Sequence, residues 1–298
     1  MPLVIVTGAD GFLGSHIARH FDAAGWTVAR VVRRGEAGPM RFVLDLPDRR
    51  LDELVGGMRP DVLVHAAGPA SVPASVSDPA GDFRGAALTT SAVLDTLRRS
   101  APACRFAYLS SGAVYGNATR GPVSESAPIA PVSPYGWHKR MCEMLCEEYA
   151  AIYGLRSTVF RLFSAYGEGQ RKQVVHDLFR KIMAPEPGTL EVIGTGAEAR
   201  DFIHGADVAA AMFRVLDADL SGPVNVGTGQ ATAISTLVDR MQAAAGSNKA
   251  VRFGGTARPG DPDVMNADIA RLAACRFSPQ ISLDQGLRRY FEWLSANP

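Results

Sequence analysis

Short apolar runs, each about the length of a strand, recur through the first 165 positions, and between them apolar residues fall three and four apart. Residues 3–6 (Leu-Val-Ile-Val) form an unbroken apolar run, as a strand buried on both faces should. A helix through Ile17 and Phe21 follows and ends at Gly25, before a second strand at 26–32. Further strands are predicted at 41–46, 61–68, 104–110 and 157–164, with a helix through Leu88, Val93, Leu94 and Leu97 and another opened by Ser133-Pro134. Strand and helix in alternation predict a Rossmann-type α/β fold, a doubly wound parallel sheet with helices on both faces. Past residue 165 the alternation loosens, with strand-like 190–193, helix-like 206–216, strand-like 224–226 and a last amphipathic helix through Leu283, Leu287, Tyr290, Phe291 and Leu294. We therefore expect a main domain at 1–165, to which segments around 200–227 return, and a smaller α/β substrate domain at 166–298.

The first strand runs straight into Thr7-Gly8-Ala9-Asp10-Gly11-Phe12-Leu13-Gly14, a G-x-x-G-x-x-G motif at a strand-to-helix turn. Gly8 allows the tight turn, Gly11 lets backbone approach a pyrophosphate, and Gly14 allows the helix to pack closely. Phe12 and Leu13 carry N–H groups that face the phosphates at the helix start, so this stretch predicts dinucleotide binding. An acid at the end of the second strand usually takes the adenosine ribose, but here the chain reads Val32-Arg33-Arg34. Two guanidiniums with no acid to oppose them favour a 2′-phosphate, hence NADP(H), with NAD the alternative and a solvated basic loop the plainer reading. Ala66, Ala67 and Gly68 close the fourth strand and let its backbone come near the cofactor, while His65 beside them reads as a packed histidine.

With 298 residues and 47% hydrophobic content the chain can bury a large core, and a net charge of +1 with signs interspersed gives no footprint for nucleic acid or an anionic membrane. Apolar runs are short and the first strand begins at residue 3, so neither a signal peptide nor a membrane span is expected and a cytoplasmic protein is. Cys104, Cys142, Cys146 and Cys275 include no C-x-x-C pair, which argues against disulfides. His138, Cys142 and Cys146 recur every four residues but match no common zinc spacing, so buried thiols are expected and a metal is not.

The chemistry lies in Ser133-Pro134-Tyr135-Gly136-Trp137-His138-Lys139. Ser133 suits the cap and Pro134 the first helical position, so Tyr135 and Lys139 stack on one face four residues apart. An ammonium beside a phenol lowers the phenol's pKa and makes Tyr135 a candidate proton carrier. Ser111, at the end of the fifth strand, would offer a hydroxyl to a substrate oxygen as charge develops there. With the glycine motif, the trio Ser111, Tyr135 and Lys139 resembles the extended short-chain dehydrogenase/reductase family, which includes nucleotide-sugar epimerases, dehydratases and 4-ketoreductases.

The resemblance spans nearly the whole chain and implies further roles. Tyr135, Lys139 and Ser110 would also touch the cofactor, and Asp45-Leu46 would lie beside its adenine. Ser71, Ser75 and Ser164 would face the substrate together with Ser111. Gly194-x-Gly196-x-x-x-Arg200-Asp201-Phe202 and Arg258-Pro259-Gly260-Asp261 resemble motifs on the nucleotide side of such enzymes, so Arg200, Arg258 and Asp261 would bind the nucleotide sugar. Three departures stand out. Asp82 and Ser164 replace asparagines, and Gly112-Ala113 replaces the acid pair that dehydratases carry after the catalytic hydroxyl. Dehydration is therefore not expected. The favoured reading is an NADP(H)-dependent reductase of a 4-keto-6-deoxy sugar, with Tyr135 as proton donor. A nucleotide-sugar 4-epimerase with retained NAD is the alternative, and a dinucleotide-sensing module would have no use for the intact trio. The family often dimerises through the helices after the fourth and fifth strands, and the apolar 86–97 stretch and the helix bearing Met141 and Leu145 permit a homodimer.

Overall fold

A computed structural model describes residues 1–117, 121–186, 188–255 and 263–297. In chain order the first part comprises β1 (Leu3–Thr7), α1 (Phe12–Ala23), β2 (Thr27–Val32), β3 (Arg41–Val43), α2 (Arg50–Met58), β4 (Val62–His65), α3 (Val72–Ser77), α4 (Pro79–Phe83), α5 (Thr89–Ser100), β5 (Arg105–Ser111), β6 (Pro122–Val123), α6 (Pro134–Tyr153), β7 (Ser157–Leu162) and β8 (Ser164–Tyr166). There follow α7 (Gln173–Met183), β9 (Thr189–Val192), β10 (Ala199–His204), α8 (Gly205–Asp217), β11 (Gly222–Val226), β12 (Ala231–Ala233), α9 (Ile234–Ala245), β13 (Ala250–Phe253), β14 (Val264–Ala267), α10 (Ala270–Ala274) and α11 (Leu283–Ala296).

Seven strands form one parallel sheet in the order β11-β7-β5-β4-β1-β2-β3. Successive side chains leave opposite faces, which is why the runs are apolar throughout. Val4 and Val6 join one core with Ile17, Phe21 and Met212, from α1 and α8, while Ile5 joins a second with Val55, Leu94 and Cys142, from α2, α5 and α6. The chain leaves β1 towards β2 and β3 on one side and resumes at β4 on the other. The crevice beyond the carboxyl ends of β1 and β4 is therefore the sheet's switch point, where open α/β sheets bind ligands.

The later segments divide. Helix α8 lies on α1, and β11 closes the main sheet on β7. Strands β12, β10, β14 and β6, with β8 against β10, form a second sheet, and β9 pairs with β13. Helices α7, α9 and α11 share a separate core that includes Leu178, Leu237, Leu287 and Tyr290. Three strands end earlier than the apolar runs suggest. At the sheet's edge β3 stops at Val43, β4 stops at His65 before the turn at Gly68 (φ +140°), and β7 stops at Leu162. Ser164 then begins β8, which leaves the main sheet for β10. Among the described residues no helix is long and apolar enough to cross a membrane.

Candidate active site

At the end of β1 the chain turns through Gly8, at φ +68°, where a side-chain carbon would come within 2.8 Å of the Ala67 nitrogen and 2.9 Å of the Ala66 carbonyl. The small residues that close β4 thus press on the glycine turn. Gly14 lies against Gly8 so closely that a Cβ there would overlap its backbone. Gly11 caps α1 without a side-chain acceptor, and no acidic residue stands in the first turn, which holds Phe12, Leu13 and Gly14. The N–H groups of that turn are left for an anion, so the cradle fits the pyrophosphate of a dinucleotide. Arg33 and Arg34 are exposed just past β2, Asp45 is exposed beyond β3, and Leu46 packs partly into the core. One acid of this corner is missing from the sequence reading. Asp10, inside the glycine turn, takes both Arg41 guanidinium nitrogens at 2.8 and 2.6 Å, and those bonds hold its carboxyl below the usual range.

The trio is assembled by α6 and the end of β5. Ser133 caps α6 by accepting from the Gly136 N–H at 3.2 Å, with Pro134 in the first turn. The Lys139 ammonium is buried, donates to the Leu109 carbonyl at 2.9 Å, and lies 5.6 Å from the Tyr135 ring centroid and 5.1 Å from that of Tyr108. Ser111 ends β5, its hydroxyl accepting from the Ala113 N–H at 3.2 Å as the chain enters the 3-10 turn Gly112–Tyr115. A Cβ on Gly136 would come within 2.7 Å of the Ala113 carbonyl, so the absent side chain is what lets α6 lie against the turn that follows Ser111.

The hydroxyls assigned to substrate or cofactor are engaged within the protein to differing degrees. Ser71 caps α3 through the Ala74 N–H at 3.2 Å. Ser75 is wholly buried, donating to Val72 O at 2.7 Å and accepting the Tyr135 N–H at 3.0 Å, so it sits under the tyrosine backbone. Ser110 donates to Glu143 Oε1 at 2.6 Å. Ser164 is half-buried at the start of β8, opposite Phe202, and Arg200 lies on β10 between β12 and β14, donating to the Ala199 carbonyl at 2.9 Å. Arg258 and Asp261 lie outside the described residues.

Several residues that hold the site carried no local signal. Glu143 on α6 takes Arg161 through two bonds at 3.0 and 2.8 Å, both side chains being almost fully buried, and Arg161 also reaches the Tyr115 hydroxyl at 2.9 Å. Asp201, noted above only as the neighbour of Arg200, is fully buried and accepts from Thr228 N–H and hydroxyl, Gly229 N–H and Ala267 N–H, which ties β10 to the loop after β11 and to β14. Asp82, on α4, meets His138 of α6 at 2.6 Å. His65 is buried with Nδ1 2.8 Å from the Thr7 hydroxyl, and burial, reinforced by the Lys139 charge, pushes its imidazole down to about 3. It is a neutral packed histidine. A cleft of about 720 Å³ opens at the amino ends of the central strands, lined by Trp26, Arg59, Arg105, Arg156 and Phe213, and contains none of these groups. Chemistry, rather than size, places the candidate site at the switch point.

A glycine turn at the switch point of a doubly wound sheet, with Ser111 at the carboxyl end of β5 and Tyr135 and Lys139 on the helix packed against that strand, defines an NAD(P)-dependent enzyme of the short-chain dehydrogenase/reductase type. The model of the NAD dependent epimerase/dehydratase family matches residues 4–227, and the chain belongs to that family. It is 30% identical over 311 aligned positions to a putative UDP-glucose 4-epimerase of Methanocaldococcus jannaschii, covering 99% of both chains. It is 33% identical over 248 positions to the GDP-6-deoxy-D-mannose reductase of Pseudomonas aeruginosa, covering 80% of this chain and 78% of the relative. The structure of a Thermus thermophilus UDP-glucose 4-epimerase in complex with NAD superimposes with a TM-score of 0.89 at 28% identity, covering 99% of this chain and 100% of that one.

Proposed function

We propose that the protein is a nucleotide-sugar 4-epimerase in which Ser111, Tyr135 and Lys139 carry the chemistry. The observation that carries this reading is likeness to a UDP-glucose 4-epimerase structure along the full length of both chains, joined to an intact Ser111, Tyr135 and Lys139. The glycine turn at Gly8, Gly11 and Gly14 would hold a dinucleotide, whose nicotinamide would supply the hydride acceptor and donor. Tyr135 takes the proton of the C4 hydroxyl as the C4–H bond gives up its hydride, leaving a ketone. It gives the proton back when hydride returns to the opposite face, so electrons and protons balance over the cycle. Ser111 donates to the C4 oxygen, and the Lys139 ammonium, held by Leu109 O, stands 5.6 Å from the Tyr135 ring centroid. Gly112 and Ala113 supply no acid for eliminating water.

A reductase of a 4-keto-6-deoxy sugar is the second reading, favoured by the exposed Arg33 and Arg34 and by the likeness to a GDP-6-deoxy-D-mannose reductase. Asp10 is a carboxylate in the same corner, but Arg41 neutralises it, so it decides neither for nor against NADPH. One experiment separates the two. Protein purified without added cofactor is incubated with UDP-glucose and scored for UDP-galactose, while its released small molecules are identified by mass spectrometry. Retained NAD⁺ with C4 interconversion supports the epimerase. Stoichiometric NADPH oxidation with a nucleotide-linked 4-keto-6-deoxy sugar, without interconversion, replaces it with the reductase. A homodimer through α5 and α6 is part of the proposal. Leu88, Met141, Met144 and Ile152 are exposed, whereas Leu145 packs inward. Sedimentation equilibrium should return twice the chain mass.

A further inference from the structure

The helix that carries Tyr135 and Lys139 is held from one side by a single short segment, α3 and α4, through two polar contacts. One is the Ser75 hydroxyl beneath the Tyr135 N–H at 3.0 Å. The other lies three residues further along α6, where His138 Nδ1 stands 2.6 Å from Asp82 Oδ2, with side-chain exposures of 11% and 3%. A carboxylate only accepts, so Nδ1 carries the hydrogen and donates. The Phe83 ring meets the imidazole edge-on at 5.5 Å, and the other carboxylate oxygen of Asp82 is buried with no partner among the described residues. A π-helical turn, Arg84–Leu88, follows at once.

Burying two titratable groups is costly, and an apolar contact would join α4 to α6 without that cost. What a directional bond adds is rotation. Tyr135 and His138 stand three apart, on neighbouring lines of one helix face. A bond to each from one segment fixes the turn of α6 about its axis, and with it the direction of the phenol. We infer that Asp82 and His138 are a positioning pair for Tyr135, acting through the rotation of α6 and not by touching substrate. This rests on the reading of Tyr135 as proton carrier.

The test uses the full-length protein, with turnover, cofactor affinity and thermal midpoint measured side by side for Asp82→Leu, Asp82→Asn, His138→Asn, the double Asp82→Leu/His138→Leu, and Tyr135→Phe. Asp82→Leu should lower kcat at least tenfold with cofactor Kd changed less than threefold. Asp82→Asn and His138→Asn, which keep an acceptor and a donor in place, should keep at least a third of wild-type kcat. The double variant should regain the wild-type midpoint through apolar contact and yet remain slow, a separation that a purely structural role would not produce. If Tyr135→Phe is inactive while Asp82→Leu or the double variant keeps more than half of kcat, or if kcat simply follows the midpoint, the positioning role is overturned. Should Tyr135→Phe itself stay active, the reading of the site fails instead.

Discussion

At the scale of single residues, the roles proposed for Tyr135 and Lys139 differ, and their substitutions should separate. A phenol whose proton matters only in the transition state contributes to kcat and not to cofactor binding. Tyr135→Phe should therefore lose more than tenfold in kcat, above about 1.4 kcal/mol, with NAD(H) affinity by fluorescence titration nearly unchanged. Lys139→Met removes a buried ammonium bonded to Leu109 O and should damage both turnover and binding. Arg33 and Arg34 offer a second test at this scale. Replacing both with Ala should weaken NADPH far more than NADH in calorimetry if they clamp a 2′-phosphate, because the charge-assisted pair is lost from one ligand only. Equal weakening would mark them as a solvated loop and leave Asp10, held by Arg41, as the charged group of that corner inside the glycine turn.

At the scale of elements, α6 is where cap, chemistry and packing coincide. Its first turn is capped by Ser133 and underlain by Ser75, its buried face carries His138, Cys142 and Glu143, and Gly136 lies against Ala113. Glycine inside a helix ordinarily costs about 0.5–1 kcal/mol relative to alanine. Gly136→Ala should do the reverse of that rule, since its Cβ would meet the Ala113 carbonyl at 2.7 Å. A lower thermal midpoint together with a lower kcat is expected, because the shifted turn carries Ser111. A raised midpoint would show that α6 yields freely. Behind the same helix, Arg161→Met removes two of the bonds to buried Glu143, which keeps Ser110 and, at 3.4 Å, Arg140, and should cost about 1–3 kcal/mol by urea unfolding, less than a wholly unpaired buried charge would.

At the scale of the whole molecule, two buried histidines contribute to the response to acid. Burial pushes His65 down to about 3 and His16 down to about 4, against about 6.5 in an unfolded chain. Below that unfolded value the unfolded chain takes up protons that the folded one refuses, so this stability is complete above about pH 6.5 and is lost as pH falls towards the folded values. Stability should fall from pH 7 to pH 5 by up to about 1.4 kcal/mol per pH unit for each histidine, and thermal midpoints should decline with it. His16→Gln should shallow the decline. A midpoint that does not move across this range would contradict neutral burial of both rings.

What the sequence determined by itself is what local spacing encodes. Unbroken apolar runs are strands covered on both faces, glycines three apart at a strand end are a tight turn into a closely packed helix, and Tyr135 with Lys139 four apart behind Ser133-Pro134 is one face of a capped helix. Each is a relation among neighbours, and each was legible together with the sheet it implies. Strand ends were less so, because Val43, His65 and Leu162 stop where a neighbouring strand stops pairing. Only the tertiary structure decided which partner satisfies each buried polar group. Asp82 meets His138 across 56 residues, Ser75 meets the Tyr135 N–H across 60, and Ser110 meets Glu143 across 33. No periodicity records such pairings. A serine that could face substrate and a serine that underlies the tyrosine have the same side chain, and what separates them is the helix face that folding brings within 3.0 Å.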